Sequence, residues 1–145
     1  MTAIVTQSAA ETEALGRELG RGLQGGDVVA LTGALGSGKT RFVAGVCQAL
    51  GAVGHFGSPT FTLINEYPAA RCTVIHADMY RIADRAQAYD VGLMEYFRPP
   101  FVCLIEWAEH VLDLLPPEHY LIAFEHCTDE TERRITIRRP DDGAA

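Results

Sequence analysis

The apolar positions near the start of the chain repeat at the spacing of a helix. Leu15, Leu19 and Leu23 recur every four residues and would form one apolar face. Gly25 and Gly26 follow this pattern directly, and glycine is typical of the left-handed position at which helices end. We therefore predict a helix that ends at this glycine pair and leads into the next element.

Two apolar segments flank a glycine-rich stretch in the first third of the chain. Residues 28–31 form a continuous apolar run, which is typical of a buried strand. Residues 41–50 place apolar side chains on one face of a helix. The pattern therefore predicts a strand, a tight loop and a helix in that order, preceded by a short edge strand at residues 3–5.

The apolar period then changes from that of a helix to that of a strand. Phe61, Leu63 and Asn65 would share one face of a strand, and residues 74–75 lie in a second apolar run. The segment YPAAR at residues 67–71 has the composition of a turn. We predict an antiparallel hairpin here, so the sheet should be mixed.

The second half of the chain alternates short helical and apolar segments. Residues 101–105 are continuously apolar and predict a strand in the interior of the sheet. Other segments predict helices at residues 83–89, 92–97 and 108–115, and strands near residues 120–125 and 134–138. We expect one domain over residues 1–140, followed by a disordered tail at residues 141–145.

Composition restricts the classes of function that fit this chain. With 145 residues, 48% of them hydrophobic, it can bury one substantial core. Its net charge of -7 opposes direct binding to RNA or to an anionic membrane, so any role in nucleic-acid chemistry should depend on a partner. The apolar runs are shorter than a membrane span and the N-terminus lacks a secretion pattern, so we expect a cytoplasmic protein. Its four widely spaced cysteines are expected to be buried thiols.

The glycine-rich stretch, GALGSGKT, matches the phosphate-loop pattern G-x-x-x-x-G-K-[ST] at every specified position. Glycines let backbone N–H groups approach a polyphosphate closely. Lys39, the only lysine of the chain, can reach between the β- and γ-phosphates, and the Thr40 hydroxyl can bind Mg²⁺. With its flanking elements, this motif predicts a single-domain, P-loop NTPase-like α/β fold of three layers with a mixed parallel/antiparallel sheet. The predicted phosphate-binding residues are Gly33, Ala34, Leu35, Gly36, Ser37, Gly38, Lys39 and Thr40.

Two carboxylates compete for the role of the second metal-binding group. Asp78 and Glu106 each follow an apolar strand, and the carboxyl ends of such strands are where open α/β sheets bind ligands. The strand before Glu106 is apolar at every position, whereas the one before Asp78 is not, so we predict that Glu106 and Thr40 contact Mg²⁺. Asp78 would then orient the attacking water or hold a metal-bound water. Which acid is the direct metal ligand remains open at this point.

Thr60 and Trp107 are further candidates. Thr60 lies in the hydroxyl-rich loop GSPTFT and could sense the γ-phosphate through Mg²⁺ as a switch threonine does, although an ordinary Ser-Pro turn would look similar. Trp107, the only tryptophan, could pack at the rim of the nucleotide site or lie in the core. Guanine recognition by an N-K-x-D segment is excluded because the only asparagine, Asn65, precedes a glutamate. ATP is therefore the default nucleotide.

The ordered set of motifs resembles the bacterial TsaE (YjeE) family. These motifs are GALGSGKT, SPTFTLINEY at residues 58–67, HADMYR at 76–81, VGLMEYF at 91–97 and IEWAE at 105–109. The resemblance implies the ATPase component of the machinery that makes the threonylcarbamoyl modification of adenosine in tRNA. It implies TsaD and TsaB as partners, with tRNA met only through their complex. The chain departs from the family at residues 83–90, ADRAQAYD, where members usually carry a more acidic segment.

Carried over residue by residue, the resemblance implies a role for each matching position. Lys39 and Thr40 match the phosphate-loop pair, and Thr60 matches the switch-like threonine. Asp78 matches the aspartate of H-x-D-x-Y-R, and Glu106-Trp107 match the acid and tryptophan pair. We therefore expect a weak ATPase that needs Mg²⁺ and is stimulated by its partners. A small-molecule kinase and a non-hydrolytic, ATP-dependent assembly module remain as alternatives.

Overall fold

A computed structural model of the chain describes residues 1–54, 63–82 and 84–142. Its helices of regular α type are α1 (Ala9–Gly20), α2 (Lys39–Leu50) and α3 (Arg85–Asp90). Its strands are β1 (Thr2–Thr6), β2 (Val28–Gly33), β3 (Ile64–Pro68), β4 (Thr73–Asp78), β5 (Phe101–Glu106), β6 (Tyr120–His126) and β7 (Arg133–Arg138). Short 3-10 helices lie at Leu93–Tyr96, Ala108–His110 and Leu112–Leu114.

The seven strands form one mixed sheet in the order β1-β7-β6-β2-β5-β4-β3. Strand β2 lies in the interior and is parallel to both neighbours, β5 and β6. The chain enters the sheet at one edge through β1, which is antiparallel to β7, and the other edge is the antiparallel β3–β4 hairpin. The predicted mixed sheet is confirmed, and so is an antiparallel hairpin in this region. The first strand of the hairpin continues through Pro68, into the predicted turn, and Phe61 lies outside the described residues.

The sheet is covered on both faces, which confirms the predicted three layers. Val29 and Leu31 of β2 pack in a cluster with α1 and α2, whereas Val28 and Ala30 face the opposite side. That second face is covered by α3 and the short 3-10 helices, which contribute Ala88, Leu93 and Ala108 among others. Alternation of side chains along a strand explains this division. Among the described residues, no helix is long and apolar enough to cross a membrane.

Helices α1 and α2 approach each other closely because glycines form their contact. A Cβ atom on Gly16 would lie 2.2 Å from the Phe42 carbonyl oxygen, and one on Gly45 would lie 2.0 Å from the Glu13 carbonyl oxygen. These distances are far below van der Waals contact, so no other residue fits without moving one helix. The start of α2, which carries Lys39 and Thr40, is thereby held against α1.

The predicted end of the first helix at Gly25-Gly26 is wrong. Helix α1 ends at Gly20, and the N–H of Arg21 closes its last turn on Arg17 O. The glycine pair lies instead against Pro99 and Pro100, where a Cβ on Gly25 would be 3.4 Å from Pro100 Cα. That is ordinary van der Waals contact, whereas Gly26 has φ +101°, in the left-handed region that favours glycine, and a Cβ there would lie 3.3 Å from Pro99 Cδ. A loop conformation, and not a helix end, therefore accounts for Gly26.

The predicted helix over residues 108–115 is also replaced by different local structure. Two 3-10 turns occupy this segment, with the N–H of His110 bonded to Trp107 O and that of Leu114 bonded to Val111 O. Val111 lies between the turns at φ -136°, outside helical geometry, and ends the first of them. The last three residues, 143–145, lie outside the described part of the chain, so the predicted tail remains a prediction.

Candidate active site

The phosphate-loop sequence lies at the carboxyl end of β2 and leads into α2. Gly38 precedes the helix at φ +104°, in the left-handed region that favours glycine. Gly33 begins the loop at φ +139°, and a Cβ there would lie 2.6 Å from the Phe124 carbonyl oxygen of β6. Both glycines are thus required by the local backbone. The central residues of the loop, Ala34, Leu35 and Gly36, are exposed beyond the carboxyl end of β2.

Lys39 is buried at the base of this loop, with 4% of its surface exposed. Its Nζ donates a hydrogen bond to Gly33 O and lies 3.6 Å from the centroid of the Trp107 ring, in cation–π geometry. Burial lowers the pKa of this ammonium, whereas the nearby carboxylates, first Glu109 and then Glu106, oppose the shift. The charge of Lys39 is therefore held in place by the loop, the indole and the surrounding acids.

Glu106 lies at the end of β5, next to the phosphate loop, and is only 3% exposed. Its Oε1 accepts a hydrogen bond from Thr40 Oγ1 at 3.0 Å, and its Oε2 lies 2.5 Å from His76 Nε2. Hard oxygen donors of this kind are the ligands that Mg²⁺ prefers. The pairing of the loop hydroxyl with a strand-end carboxylate therefore fits a magnesium ion bound together with phosphate oxygens.

Asp78 lies at the end of β4, in register with Glu106 on the neighbouring parallel strand. It is partly exposed, and its Oδ1 accepts a hydrogen bond from the N–H of Tyr80 at 2.9 Å. Burial raises the pKa of the Asp78 carboxyl, and the Tyr80 N–H opposes this shift. The Asp78 carboxylate is thus oriented by the turn that follows it, whereas the Glu106 carboxylate is oriented by side chains from two other elements.

The structure brings most of the predicted site residues together around one cleft of about 400 Å³. Its lining residues include Leu35 to Thr40 of the loop, together with Asp78, Glu106 and Trp107. Thr60 falls outside the described residues, so its place at the site remains a prediction. The convergence of the described residues follows from the carboxyl ends of β2, β4 and β5, which lie side by side in the sheet.

Trp107 lies at the rim of this cleft. Its backbone has φ +58°, and among the described residues it is the only one other than glycine with a positive φ. The indole is partly exposed, and its ring centroid is 4.8 Å from that of Tyr80 and 6.0 Å from that of His110. The structure combines both alternatives raised by the sequence, because Trp107 lines the cleft and is also packed, partly buried, against the core cluster on that face of the sheet. Its role toward a nucleotide stays a prediction.

Three residues that the sequence did not single out, Glu109, His126 and Arg133, bond the loop backbone, and His126 Nε2 lies 3.3 Å from Leu35 O. Glu109 Oε2 accepts a hydrogen bond from the N–H of Gly33 at 3.0 Å, and Arg133 Nη2 donates to Gly36 O at 3.2 Å. Glu109 lies three residues after Glu106, so a scan for further acids near the strand end would have found it. Arg133 begins a strand 97 residues away from its partner, and no sequence spacing indicates such a contact.

A second cavity of about 350 Å³ lies on the other side of the loop. It is formed by the start of α1 with Ser8 and Thr12, the loop with Gly36 and Gly38, and the β6–β7 turn with Thr131. The loop glycines line both cavities, so the two spaces adjoin along the loop backbone. The first cleft therefore contains the strand-end acids Asp78 and Glu106, whereas the second cavity, which adjoins it along the loop, contains neither.

Comparison with known proteins agrees with this architecture. Residues 6–135 match the model of the family described as "Threonylcarbamoyl adenosine biosynthesis protein TsaE". The Bacillus subtilis tRNA threonylcarbamoyladenosine biosynthesis protein TsaE is 40% identical over 132 residues, which cover 91% of this chain and 82% of that protein. The Treponema pallidum protein of the same name is 41% identical over 133 residues, covering 92% of this chain and 97% of that protein.

A solved structure shares the fold. The crystal structure of Bacillus subtilis YdiB matches with a TM-score of 0.82 at 33% sequence identity, covering 97% of this chain and 86% of that chain. The family match therefore extends from the end of β1 into β7, and the likeness in structure covers nearly the whole chain. On this evidence, the chain is a member of the TsaE family.

Proposed function

We propose that this protein binds ATP with Mg²⁺, hydrolyses it slowly by itself, and supports the threonylcarbamoyladenosine modification of tRNA. The observation that carries the proposal is the hydrogen bond between Thr40 Oγ1 and Glu106 Oε1 at 3.0 Å. It unites a phosphate-loop hydroxyl with the carboxylate of the neighbouring strand, which is the donor set that a nucleotide-bound Mg²⁺ requires. Membership of the TsaE family supports the assignment to tRNA modification.

Thr40 and Glu106 would hold the magnesium ion in this proposal. When bound, Mg²⁺ neutralises charge on the phosphates and on the transition state. Lys39 would bind the β- and γ-phosphates from the base of the loop, and the loop N–H groups would bind their oxygens. Asp78, partly exposed in the same cleft, would orient a water toward the γ-phosphate. We keep Thr60 as the proposed switch threonine.

The nucleoside is best accommodated in the second cavity. A triphosphate that follows the loop past Gly38 and Gly36 leaves the acidic cleft and reaches the space between α1 and the β6–β7 turn. Ala9, which is exposed at the start of α1, lines this space. An Ala9→Phe variant should therefore bind ATP more weakly and bind tripolyphosphate as the wild type does. Equal weakening of both ligands would contradict this placement.

We propose that TsaD and TsaB stimulate the hydrolysis. Phosphoryl transfer is accelerated by an arginine that stabilises the transition-state charge. Arg41, at the start of α2, is exposed and paired with Glu13 at 3.3 Å. Arg133 donates to the carbonyl oxygens of Gly36, Glu130 and Glu132. Both of these arginines near the loop thus already bind other groups of the protein. We therefore propose that a partner supplies the positive charge that stabilises the transition state, or induces a movement that brings such a charge to the γ-phosphate.

Nucleotide binding is tested first by removing the loop ammonium. Charge-assisted hydrogen bonds contribute about 1.5–3 kcal/mol each, so Lys39→Ala should lower the affinity for Mg²⁺–ATP about ten- to a hundredfold. Calorimetry measures this change directly. Arg21→Ala removes one exposed positive charge at the far end of α1 and serves as the matched control. Unchanged affinity in Lys39→Ala would overturn the assignment of the loop.

The activity is tested by reconstitution. ATP hydrolysis should be slow for the isolated protein and faster when purified TsaD and TsaB are present. Multiple-turnover modification of tRNA should require this protein and should stop when a non-hydrolysable ATP analogue replaces ATP. Equal modification with the analogue would favour the assembly module instead, and transfer of labelled phosphate to a metabolite would favour a kinase.

A further inference from the structure

A fully buried histidine lies beneath the proposed metal site. His76 belongs to β4, has none of its surface exposed, and places its Nε2 2.5 Å from Glu106 Oε2. Its other ring nitrogen, Nδ1, is buried without a hydrogen-bond partner among the described residues. Burying an unsatisfied polar atom is unfavourable, so an apolar side chain would be preferred at this position if packing alone mattered. Within the described part of the chain, the polar contact that His76 does make is the one to Glu106.

The sheet places His76 on the same side as the phosphate-loop helix. Val74 packs in the cluster formed with α1 and α2, and alternation along β4 directs His76 to that same face. On the adjacent strand, Leu104 belongs to that cluster too, and two residues later Glu106 shares its face. The histidine therefore approaches the carboxylate from inside the protein, while Thr40 approaches it from the loop.

We propose that His76 is a positioning residue that fixes the Glu106 carboxylate for Mg²⁺, an inference that rests on the proposed function. With Glu106 ionised, the proton of the short contact belongs to Nε2, which donates it to Oε2. This bond occupies one carboxylate oxygen and directs the other, Oε1, toward Thr40. Groups that hydrogen-bond metal ligands in this way orient them, and their loss costs about 10- to 100-fold in metal affinity or activity.

Two polar variants separate this role from packing. The amide of glutamine reaches about as far as Nε2 of histidine, whereas that of asparagine reaches only as far as Nδ1. His76→Gln should therefore retain the bond to Glu106, and His76→Asn should lose it. The control, His119→Asn, changes a partly buried histidine that bonds Pro116 O in the loop before β6, away from the cleft.

The experiment measures ADP binding by calorimetry with excess Mg²⁺ and again with a chelator, so that the metal contributes to only one of the two affinities. For His76→Asn we expect the gain in affinity due to Mg²⁺ to fall about 10- to 100-fold, with metal-free binding unchanged. His76→Gln and the control should behave as the wild type. Mn²⁺ binding to the ADP complex, followed by electron paramagnetic resonance, should show the same order.

Several results would overturn the positioning role. If His76→Asn weakens binding equally with and without metal, the histidine acts only through packing. If both His76 variants retain the full effect of Mg²⁺, the contact to Glu106 has no role in metal binding. If Mg²⁺ does not increase the affinity of the wild type for ADP, the proposed function fails as well. The wild-type titrations alone show this outcome, so it can be told apart from a failure of the positioning role.

Discussion

Glu106 and Asp78 end two adjacent parallel strands and lie opposite each other in the strand pairing, yet their surroundings differ. Glu106 is almost fully buried, and each of its oxygens contacts another element, Thr40 of α2 or His76 of β4. Asp78 remains partly exposed and bonds the backbone of its own turn at Tyr80. One carboxylate is thus fixed by long-range contacts, whereas the other is held locally and faces the cleft.

The difference follows from the distance of each strand from the phosphate loop. Strand β5 pairs directly with β2, which delivers the loop, whereas β4 pairs with β5 and lies one strand further away. Two acids that each end a parallel strand therefore take different positions relative to the proposed phosphate site. We infer that the inner acid suits the metal and the outer acid suits the water, and the following predictions test that division.

Glu106→Gln should have the largest effect. The amide preserves the size of the side chain but removes the charge from the proposed metal site, so the ATPase rate in the presence of TsaD and TsaB should fall about 10²- to 10³-fold. Single-turnover hydrolysis measures the rate, and binding of metal-free ADP should be unchanged. Hydrolysis at the wild-type rate would remove Glu106 from the metal site.

Asp78→Asn should reduce the same rate by a smaller factor, about 10- to 100-fold, because an outer group acts through a water molecule. The dependence of ADP binding on Mg²⁺ should remain as in the wild type, since Asp78 does not contact the metal in this proposal. The metal titration used for Glu106→Gln provides the comparison. If Asp78→Asn loses the effect of Mg²⁺ and Glu106→Gln keeps it, the two roles must be exchanged.

Trp107 can report on the two strand ends separately. Its ring contacts Tyr80, which lies two residues after Asp78, and its backbone follows Glu106 directly. We expect Mg²⁺–ATP to change the tryptophan emission, with a saturation curve that matches calorimetry. Glu106→Gln should alter the amplitude, and Asp78→Asn should not. An emission that stays constant while calorimetry shows binding would remove Trp107 from the nucleotide site.

The smallest expected effect concerns stability and pH. Burial raises the pKa of Asp78 in the folded protein above its ordinary value of 3.8, so ionising this carboxyl is harder in the folded than in the unfolded chain. As the pH rises from 3.8 through the raised pKa, the wild type should lose stability relative to Asp78→Asn, and the difference should then stay constant. Urea unfolding of both proteins at a series of pH values measures this. If the wild type instead gained stability relative to Asp78→Asn as the pH rises, the predicted sign would be wrong.

Much of this site could be predicted from the sequence because its parts follow strands. An apolar run that ends in an acid places the acid at the carboxyl edge of a parallel sheet, which is where both Asp78 and Glu106 lie. The phosphate loop was recognisable because its backbone demands glycine at Gly33 and Gly38. Local spacing therefore sufficed to locate the site.

The remaining contacts depend on tertiary structure that no local pattern encodes. The bond from Gly33 to Glu109 joins positions 76 residues apart, and that from Arg133 to Gly36 joins positions 97 residues apart. The end of α1 was misplaced for a related reason, because Gly26 takes a φ of +101° in the loop before β2, where it lies against Pro99, far along the chain. A glycine required by a distant neighbour looks the same in sequence as one that ends a helix.

The contact between Gly16 of α1 and Phe42 of α2 has a mechanical consequence. Where backbones touch without intervening side chains, no flexible groups remain to absorb sliding or tilting, so the two helices must move as one rigid body. The Gly45 contact fixes the same pair a second time. We therefore expect the frame that carries Lys39 to keep its shape when a nucleotide binds or leaves, so any motion that admits the nucleotide must lie outside the α1–α2 pair.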